Sequence, residues 1–302
     1  MMISKEDAKA LFKDQELKNE IIQAVIQGST ILPHMEKLPD MTSDQAYITV
    51  ADALPVTYWV DEGVNNGRKQ LTNARWKNVK LYASELAVIV PIKINTVRDA
   101  GYDIIGNIKP LIVQDAYKKI DEAIILGKNK PALWGEGIVN SAISAGNVVT
   151  ATADSNTYTL ISDAMSKVEE DGFDVTAIMG GVKLKGEFRK GLLDSTGQPL
   201  SNSEVTELPR IYAKNGAWDN DLAKFVVGDF KQAVYSIRED VTFDVFTEGC
   251  VTDSEGKTIY NLMQDDMMAI RFTFRMGYAL PNPVNTLNPD EATRYPFAVV
   301  TE

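Results

Sequence analysis

The chain contains one β-patterned stretch with no apolar surface of its own to rest on, and this limits the folds open to it more than any other feature. From Val56 onward the residues read as a long hairpin. The outgoing arm is Val56-Thr57-Tyr58-Trp59-Val60 and the turn signal is Asn65-Asn66-Gly67. The return runs through Trp76, Val79 and Leu81 and continues as Leu86, Val88, Val90, Ile92 and Ile94 at period two. At about 3.3 Å per residue, arms of about ten residues reach some 30 Å. An isolated two-stranded ribbon is marginal in water. The tip, Glu62 to Gln70, is polar and offers no apolar face for docking at home. The ribbon therefore predicts a supporting surface elsewhere, most economically on a neighbouring subunit. Tyr58, Trp59 and Trp76 on the two arms suit either cross-strand packing or the anchoring of such an interface. Glu62, Arg68 and Lys69 at the tip are candidates for salt bridges between subunits, and solvated turn charges are the alternative.

The rest of the chain alternates helices and strands. Ser4 opens a helical pattern carried by Leu17, Ile21, Ile22, Val25 and Ile26 and closed by Gly28, whose charged first half suggests an exposed arm. Residues 28 to 54 read as an irregular connection with one short strand at Ala46 to Val50. Residues 101 to 127 predict one long helix with a stripe of Ile104, Ile105, Ile108, Leu111, Ile112, Ala116, Ile120, Ala123 and Ile124, and Gly127 as its stop. Pro110 inside it predicts a kink or a broken first turn. An amphipathic helix from Tyr158 to Asp171, a strand at Val175 to Met179 and a helix around Lys183 to Leu193 then form an α/β alternation, which suggests a second domain. Period two returns at Val241, Phe243 and Val245. It continues from Met268 through Ile270, Phe272, Phe274 and Met276 to Tyr278, with Arg271 and Arg275 on the opposite face.

Composition narrows the chemistry. With 31 Lys and Arg against 42 Asp and Glu, the net charge of −11 argues against a surface built to wrap nucleic acid phosphates. The 302 residues hold one Cys and one His, so a cysteine-rich zinc site or an internal disulfide cannot be assembled, and His34 and Cys250 read as structural. No phosphate-binding glycine motif is present. The pairs Asp61/Glu62, Glu169/Glu170 and Asp265/Asp266 could do acid–base work, yet neighbouring side chains diverge on a strand or a helix, and solvated surface is the simpler reading. No cofactor and no metal are expected. The charged N-terminal stretch lacks the apolar core of a signal peptide, and no run approaches the length of a membrane span, so a soluble protein of a reducing cytoplasm is expected.

The order of motifs carries further information. Leu54-Pro55-Val56-Thr57-Tyr58-Trp59-Val60-Asp61-Glu62-Gly63, Val79-Lys80-Leu81, Asp121-Glu122-Ala123-Ile124-Ile125-Leu126-Gly127 and the loop Pro131 to Ile138 follow a helical arm. Val227-Gly228-Asp229-Phe230, the Val234 to Arg238 strand and Asp265 to Phe272 come later. In this order they resemble the major capsid proteins of tailed bacteriophages over roughly residues 50 to 285. The resemblance implies an α+β, L-shaped subunit: an N-terminal arm and connection (1–53), an extended hairpin loop (54–84), a peripheral domain on a long spine helix (85–148), an axial α/β domain (149–235) and return strands with the C-terminus (236–302). It implies a non-enzymatic shell protein forming pentamers and hexamers around double-stranded DNA without sequence-specific binding. Its expected companions are a separate or already removed scaffold, a portal and head-completion proteins. A cellular encapsulating compartment shares this fold, and a carboxylate hydrolase using Asp265 and Asp266 is the rival of another class. Some relatives cross-link a hairpin lysine to an asparagine with help from a glutamate. Lys69 lies near the right place, but no motif supplies the other two, so no cross-link is expected.

Overall fold

A computed structural model describes residues 28–60, 69, 71–99, 104–152, 155–191 and 207–302. The arm helix expected over 4 to 27 and the turn signal Asn65-Asn66-Gly67 lie outside the described residues. In chain order the first strands are β1 (Glu36–Lys37), β2 (Gln45–Ala53), β3 (Arg75–Tyr82) and β4 (Ser84–Lys93), followed by helices α1 (Ile94–Asp99) and α2 (Ile104–Asp121). Then come α3 (Ile138–Ala145), β5 (Val148–Thr150), α4 (Thr157–Glu170), β6 (Ala177–Gly181), α5 (Leu184–Gly191), β7 (Arg210–Ala213) and β8 (Phe225–Gly228). The chain closes with β9 (Val234–Phe246), β10 (Cys250–Thr252), β11 (Thr258–Asn261), β12 (Met267–Ala279) and β13 (Phe297–Thr301).

The period-two run of β12 makes it a central strand. It pairs antiparallel with β4 on one side and β9 on the other, in a sheet ordered β1-β9-β12-β4. Its inward residues Phe272, Phe274 and Met276 join Leu86, Val90 and Phe243 against the α2 stripe of Ile108, Ile112, Val113, Ala116 and Ile120. Its outward Arg271, Thr273 and Arg275 each meet a polar partner. Arg271 reaches Asp244 at 2.8 Å, Thr273 pairs with Thr242, and Arg275 donates to Asp44 at 3.0 Å.

The ribbon differs from its sequence reading. Its arms are β2 and β3, in register from Gln45↔Tyr82 to Ala53↔Arg75, and Val56 to Val60 carries no strand. The expected short strand at Ala46 to Val50 is thus the outgoing arm, and Leu86 to Lys93 belongs to a different sheet. Burial explains the choice. Ala46 and Ile48 face Val79 and Leu81, and together they close over Met41, Val234 and Ala279, whereas Val56, Trp59 and Val60 are exposed.

The second sheet, ordered β5-β13-β8-β6-β7, is packed on both faces. On one face, Ile161, Ala164 and Val168 of α4 and Leu184 and Phe188 of α5 cover Ile178, Phe225, Val227, Ala298 and Val300. On the other, Ile138, Val139 and Ala142 of α3 meet Met179, Val226, Phe297 and Val299, in a core continuous with that under the first sheet. The C-terminal segment ends in this second sheet, where β13 lies between β5 and β8. Buried Asp171 draws the chain there, accepting from Asn147 Nδ2 (2.7 Å), Asn288 Nδ2 (2.7 Å) and the Tyr295 amide (2.9 Å).

Pro110 sits within the helical run of α2 rather than at a broken first turn. The helix continues past Asp121 as one π-type turn, Glu122–Leu126, and stops at Gly127 with φ 69°. That stop is crowded: a Cβ on Gly137 would lie 2.3 Å from the Gly127 nitrogen, so the helix end and the start of α3 meet backbone to backbone. At the α-to-π junction, fully buried Asp121 accepts from Ser29 Oγ, the Thr30 amide (2.7 Å) and Asn215 Nδ2 (2.7 Å). It thereby ties the start of the described chain to the spine and to the loop after β7.

Two outcomes follow from this packing. Phe297→Ala removes the ring that Phe230 meets edge-on at 5.2 Å, and denaturant unfolding of the subunit should show a loss of about 3–5 kcal/mol. Burial holds the Asp121 carboxyl above its ordinary pKa, against the lowering effect of its hydrogen bonds. The folded state therefore binds its proton more tightly than the unfolded chain does, and stability from this residue falls as pH rises through the folded pKa. The melting temperature of the wild type relative to Asp121→Asn should accordingly increase as pH is lowered from 7 toward 4, and a difference independent of pH would refute this.

Candidate subunit interface

The root of the ribbon is fixed, and several apolar side chains described farther out are exposed. At the root, Lys77 pairs with Glu291, the Val284 amide donates to the Ala51 carbonyl at 3.1 Å, and Arg75 Nε reaches Asp52 at 2.5 Å. On the outer face, Thr49 Oγ1 donates to Asn78 Oδ1 at 2.8 Å, and Lys80 Nζ stands 6.0 Å from the Tyr47 ring centroid. Beyond the last ladder pair the chain runs extended, with the Val56 amide donating to Thr72 Oγ1 at 2.9 Å.

The apolar side chains of this outer part face solvent. Trp59 is 100% exposed, Leu71 91%, Val56 71% and Trp76 66%. Covering a large apolar side chain is worth about 1.5–3 kcal/mol, so these four together favour a covered state over a solvated one. Of the residues singled out in sequence, Trp59 and Trp76 are exposed on this element, Tyr58 lies beside Trp59, and Lys69 is exposed. Glu62 and Arg68 lie outside the described residues. The expected cross-strand aromatic pairing is not formed: Trp76 stands opposite Ala51, and Tyr58 and Trp59 lie past the end of the ladder. Sequence reasoning missed Tyr47, which is outward-facing and exposed. The alternation of Tyr47 and Thr49 with Ala46, Ile48 and Val50 was the signal for it.

A second bare apolar set lies on the β10–β11 hairpin, where Ile259, Tyr260 and Met263 are exposed while Leu262 and Met267 hold its base. Cys250 is exposed on this hairpin. His34 ends a short 3-10 turn, Leu32–His34, and burial lowers its pKa. Asp265 accepts from the Asn261 amide at 2.8 Å, and Asp266 adopts φ 50° in the same turn while its carbonyl accepts from the Ile94 amide at 2.9 Å. These two carboxylate residues build a turn. Among the described residues, no group of three or more His, Cys, Asp or Glu could hold a metal ion, and no helix is long and apolar enough to cross a membrane.

Comparison with known proteins agrees with this architecture. The chain is 26% identical over 280 residues to the major capsid protein of Staphylococcus phage 80alpha, covering 88% of this chain and 82% of that one. A solved structure from Microbacterium phage Oxtober96 superposes with a TM-score of 0.79 at 33% identity, over 100% of this chain and 99% of the other. One from Mycobacterium phage Adephagia shares the fold at a TM-score of 0.80 and 24% identity, over 91% and 90% of the two chains. Residues 12–285 match the family described as the phage capsid family; the chain belongs to that family and is a major capsid protein, a structural component of the phage head rather than an enzyme.

Proposed function

We propose that this chain assembles as pentamers and hexamers into a closed icosahedral shell around double-stranded phage DNA, and that the ribbon formed by β2, β3 and the segment beyond them lies across a neighbouring copy. The observation that carries this reading is the contrast within the ribbon, anchored at its root and apolar where it leaves the molecule. Tyr58, Trp59 and Trp76 are its anchors, and Glu62, Arg68 and Lys69 supply charges at its tip. Assembly proceeds in the host cytoplasm with a separate scaffolding protein, and portal and head-completion proteins finish the head. The acidic surplus of −11 suits a container that must not adhere to its contents. Each contact can be weak, because a subunit in a shell is held by several neighbours at once and every 1.4 kcal/mol is a factor of about ten in association.

Negative-stain microscopy of the purified chain, alone and coexpressed with its scaffold, should show capsomers or shells; a monomer under all these conditions would sink the reading. A sharper test combines Trp59→Ala with Trp76→Ala. Both side chains are exposed in the subunit, so its unfolding free energy should change by less than about 0.5 kcal/mol for each. The yield of closed particles should fall at least about tenfold.

A further inference from the structure

Strand β4 is an open edge. In the sheet ordered β1-β9-β12-β4 it pairs with β12 on one side, and among the described residues no strand lies on the other. Its register with β12 is unbroken from Ser84↔Met276 to Lys93↔Met267. The Ile94 amide extends the ladder by donating to the Asp266 carbonyl at 2.9 Å. Backbone groups of successive residues in an antiparallel strand point to opposite sides. Counting back from Ile94, the groups of Leu86, Val88, Val90 and Ile92 are spent on β12, and Glu85, Ala87 and Ile89 turn their amides and carbonyls outward. Pro91 has the outward parity too, and a proline is tolerated in a strand where its nitrogen faces away from the ladder. Among the described residues, no hydrogen bond reaches the outward groups of Glu85, Ala87 or Ile89.

A bare edge of this kind is ordinarily blunted by charge, by brevity or by a covering segment. The other edges of the four- and five-stranded sheets are. In the second sheet the outer strands β5 and β7 span three and four residues. Along β9 the first part is covered by β1 and by the Leu38 and Met41 amides, which donate to the Tyr235 and Ile237 carbonyls at 2.8 Å. The rest of β9 carries Arg238, Glu239, Asp240 and Asp244. By contrast, β4 is ten residues long, no charge interrupts Leu86-Ala87-Val88-Ile89-Val90, and Ile89 is 50% exposed and Val88 39%. A complementary piece lies on the ribbon. Val56 to Val60 has the composition of a strand, forms none in its own chain and is exposed. The Val56 amide is turned toward its own return segment, donating to Thr72 Oγ1. Drawn out as a strand, the segment would therefore aim the backbone groups of Thr57 and Trp59 away from the ribbon.

We propose that the outward edge of β4 receives the Val56–Val60 segment of a neighbouring copy as an added strand, so that the first sheet continues across the boundary between two subunits. This rests on the reading above, in which the ribbon lies across a neighbour, and names where the ribbon is received. The segment does not reach the β4 of its own chain. Ala53 is held opposite Arg75, and the eight residues of β3 separate that end of the ribbon from β4, a span of about 27 Å. The contact is therefore made by a second copy. In strand addition the main-chain hydrogen bonds supply affinity and alternate side chains supply selectivity. Here the added strand would satisfy the open backbone of Glu85, Ala87 and Ile89 and, in the same step, cover Ile89 and Trp59, which are bare in the single subunit. Pro91 and Pro55 have no amide to give and bound the paired stretch on the two chains.

The test uses the full chain under conditions in which the wild type assembles. Ala87→Pro removes an outward amide and no bond to β12, so the unassembled subunit should melt as the wild type does, whereas assembled material should fall by about tenfold or more. Should that variant fail to fold, Ile89→Lys places a charge on the same edge and carries the same expectation. Disulfide trapping identifies the occupant. In a Cys250→Ala background, Thr57→Cys chains are coassembled with chains bearing Glu85→Cys, Ala87→Cys, Val88→Cys or Ile89→Cys and then oxidised. Cross-linked dimers should form and should alternate in yield along β4, because adjacent side chains lie on opposite faces and a disulfide needs close Cα atoms. Loss of assembly in the edge variants together with that alternation supports the contact. Edge variants that both assemble normally, or particles in which Thr57→Cys joins none of these positions, overturn it. An efficient dimer from Ile89→Cys chains alone pairs β4 with β4 and also overturns it. A wild type that never leaves the monomer state overturns the shell reading itself, whereas a closed shell without the cross-link overturns only this contact.

Discussion

The apolar stripe of the spine helix has to be covered, and neither sheet covers it alone. Ile112, Val113, Ala116 and Ile120 lie under Phe272, Phe274 and Met276 of the first sheet, and the same buried cluster runs on through Ile124 and Leu126 to Phe297 and Val299 of the second. Two sheets on one continuous core cannot slide independently, because a close-packed interior resists small displacements. Fixed polar joints reinforce this. Asp121 binds the start of the described chain and the loop after β7 to the spine, and Asp171 binds the C-terminal segment to α3 and α4 through Asn147 and Tyr295. The subunit is therefore stiff where it is buried, and its adaptable surface is confined to what projects.

Much of this frame was legible in the sequence because its signals are local. The alternation of β12, the stripe of α2 and the amphipathic pattern of α4 each follow from one stretch of chain meeting one surface. The ribbon was misplaced for a different reason. Val56 to Val60 has the composition of a strand, but pairing is decided by what the opposite face can bury, and only Ala46, Ile48, Val79 and Leu81 find Met41, Val234 and Ala279 beneath them. The partner of an arm lies some thirty residues away, beyond the reach of a periodicity argument.

The place of β13 was hidden for the same reason. The insertion of Phe297 to Thr301 between β5 and β8 depends on Asn147, Asp171 and Asn288, which come from three separate stretches of the chain. The candidate interface residues were half legible. A solvent-facing tryptophan such as Trp59 can be suspected from a polar loop around it, but whether Trp76 packs against Tyr58 or faces outward is settled by register, and register put it opposite Ala51.

A stiff core with bare projections sets how such a subunit can associate. Ordering a flexible partner costs about 0.5–1.5 kcal/mol per immobilised long side chain; a subunit whose ribbon root is already held by Lys77, Arg75 and the Val284 amide has lost much of that freedom before any neighbour arrives. The apolar gain from covering Trp59, Leu71 and Trp76 is then opposed chiefly by repulsion between acidic surfaces. That repulsion reaches out to about one Debye length, about 8 Å at physiological salt, whereas the apolar gain requires contact. On the proposed placement of the ribbon across a neighbour, copies would be held apart at a distance and bound when the ribbon is seated, which would favour correct register over indiscriminate sticking.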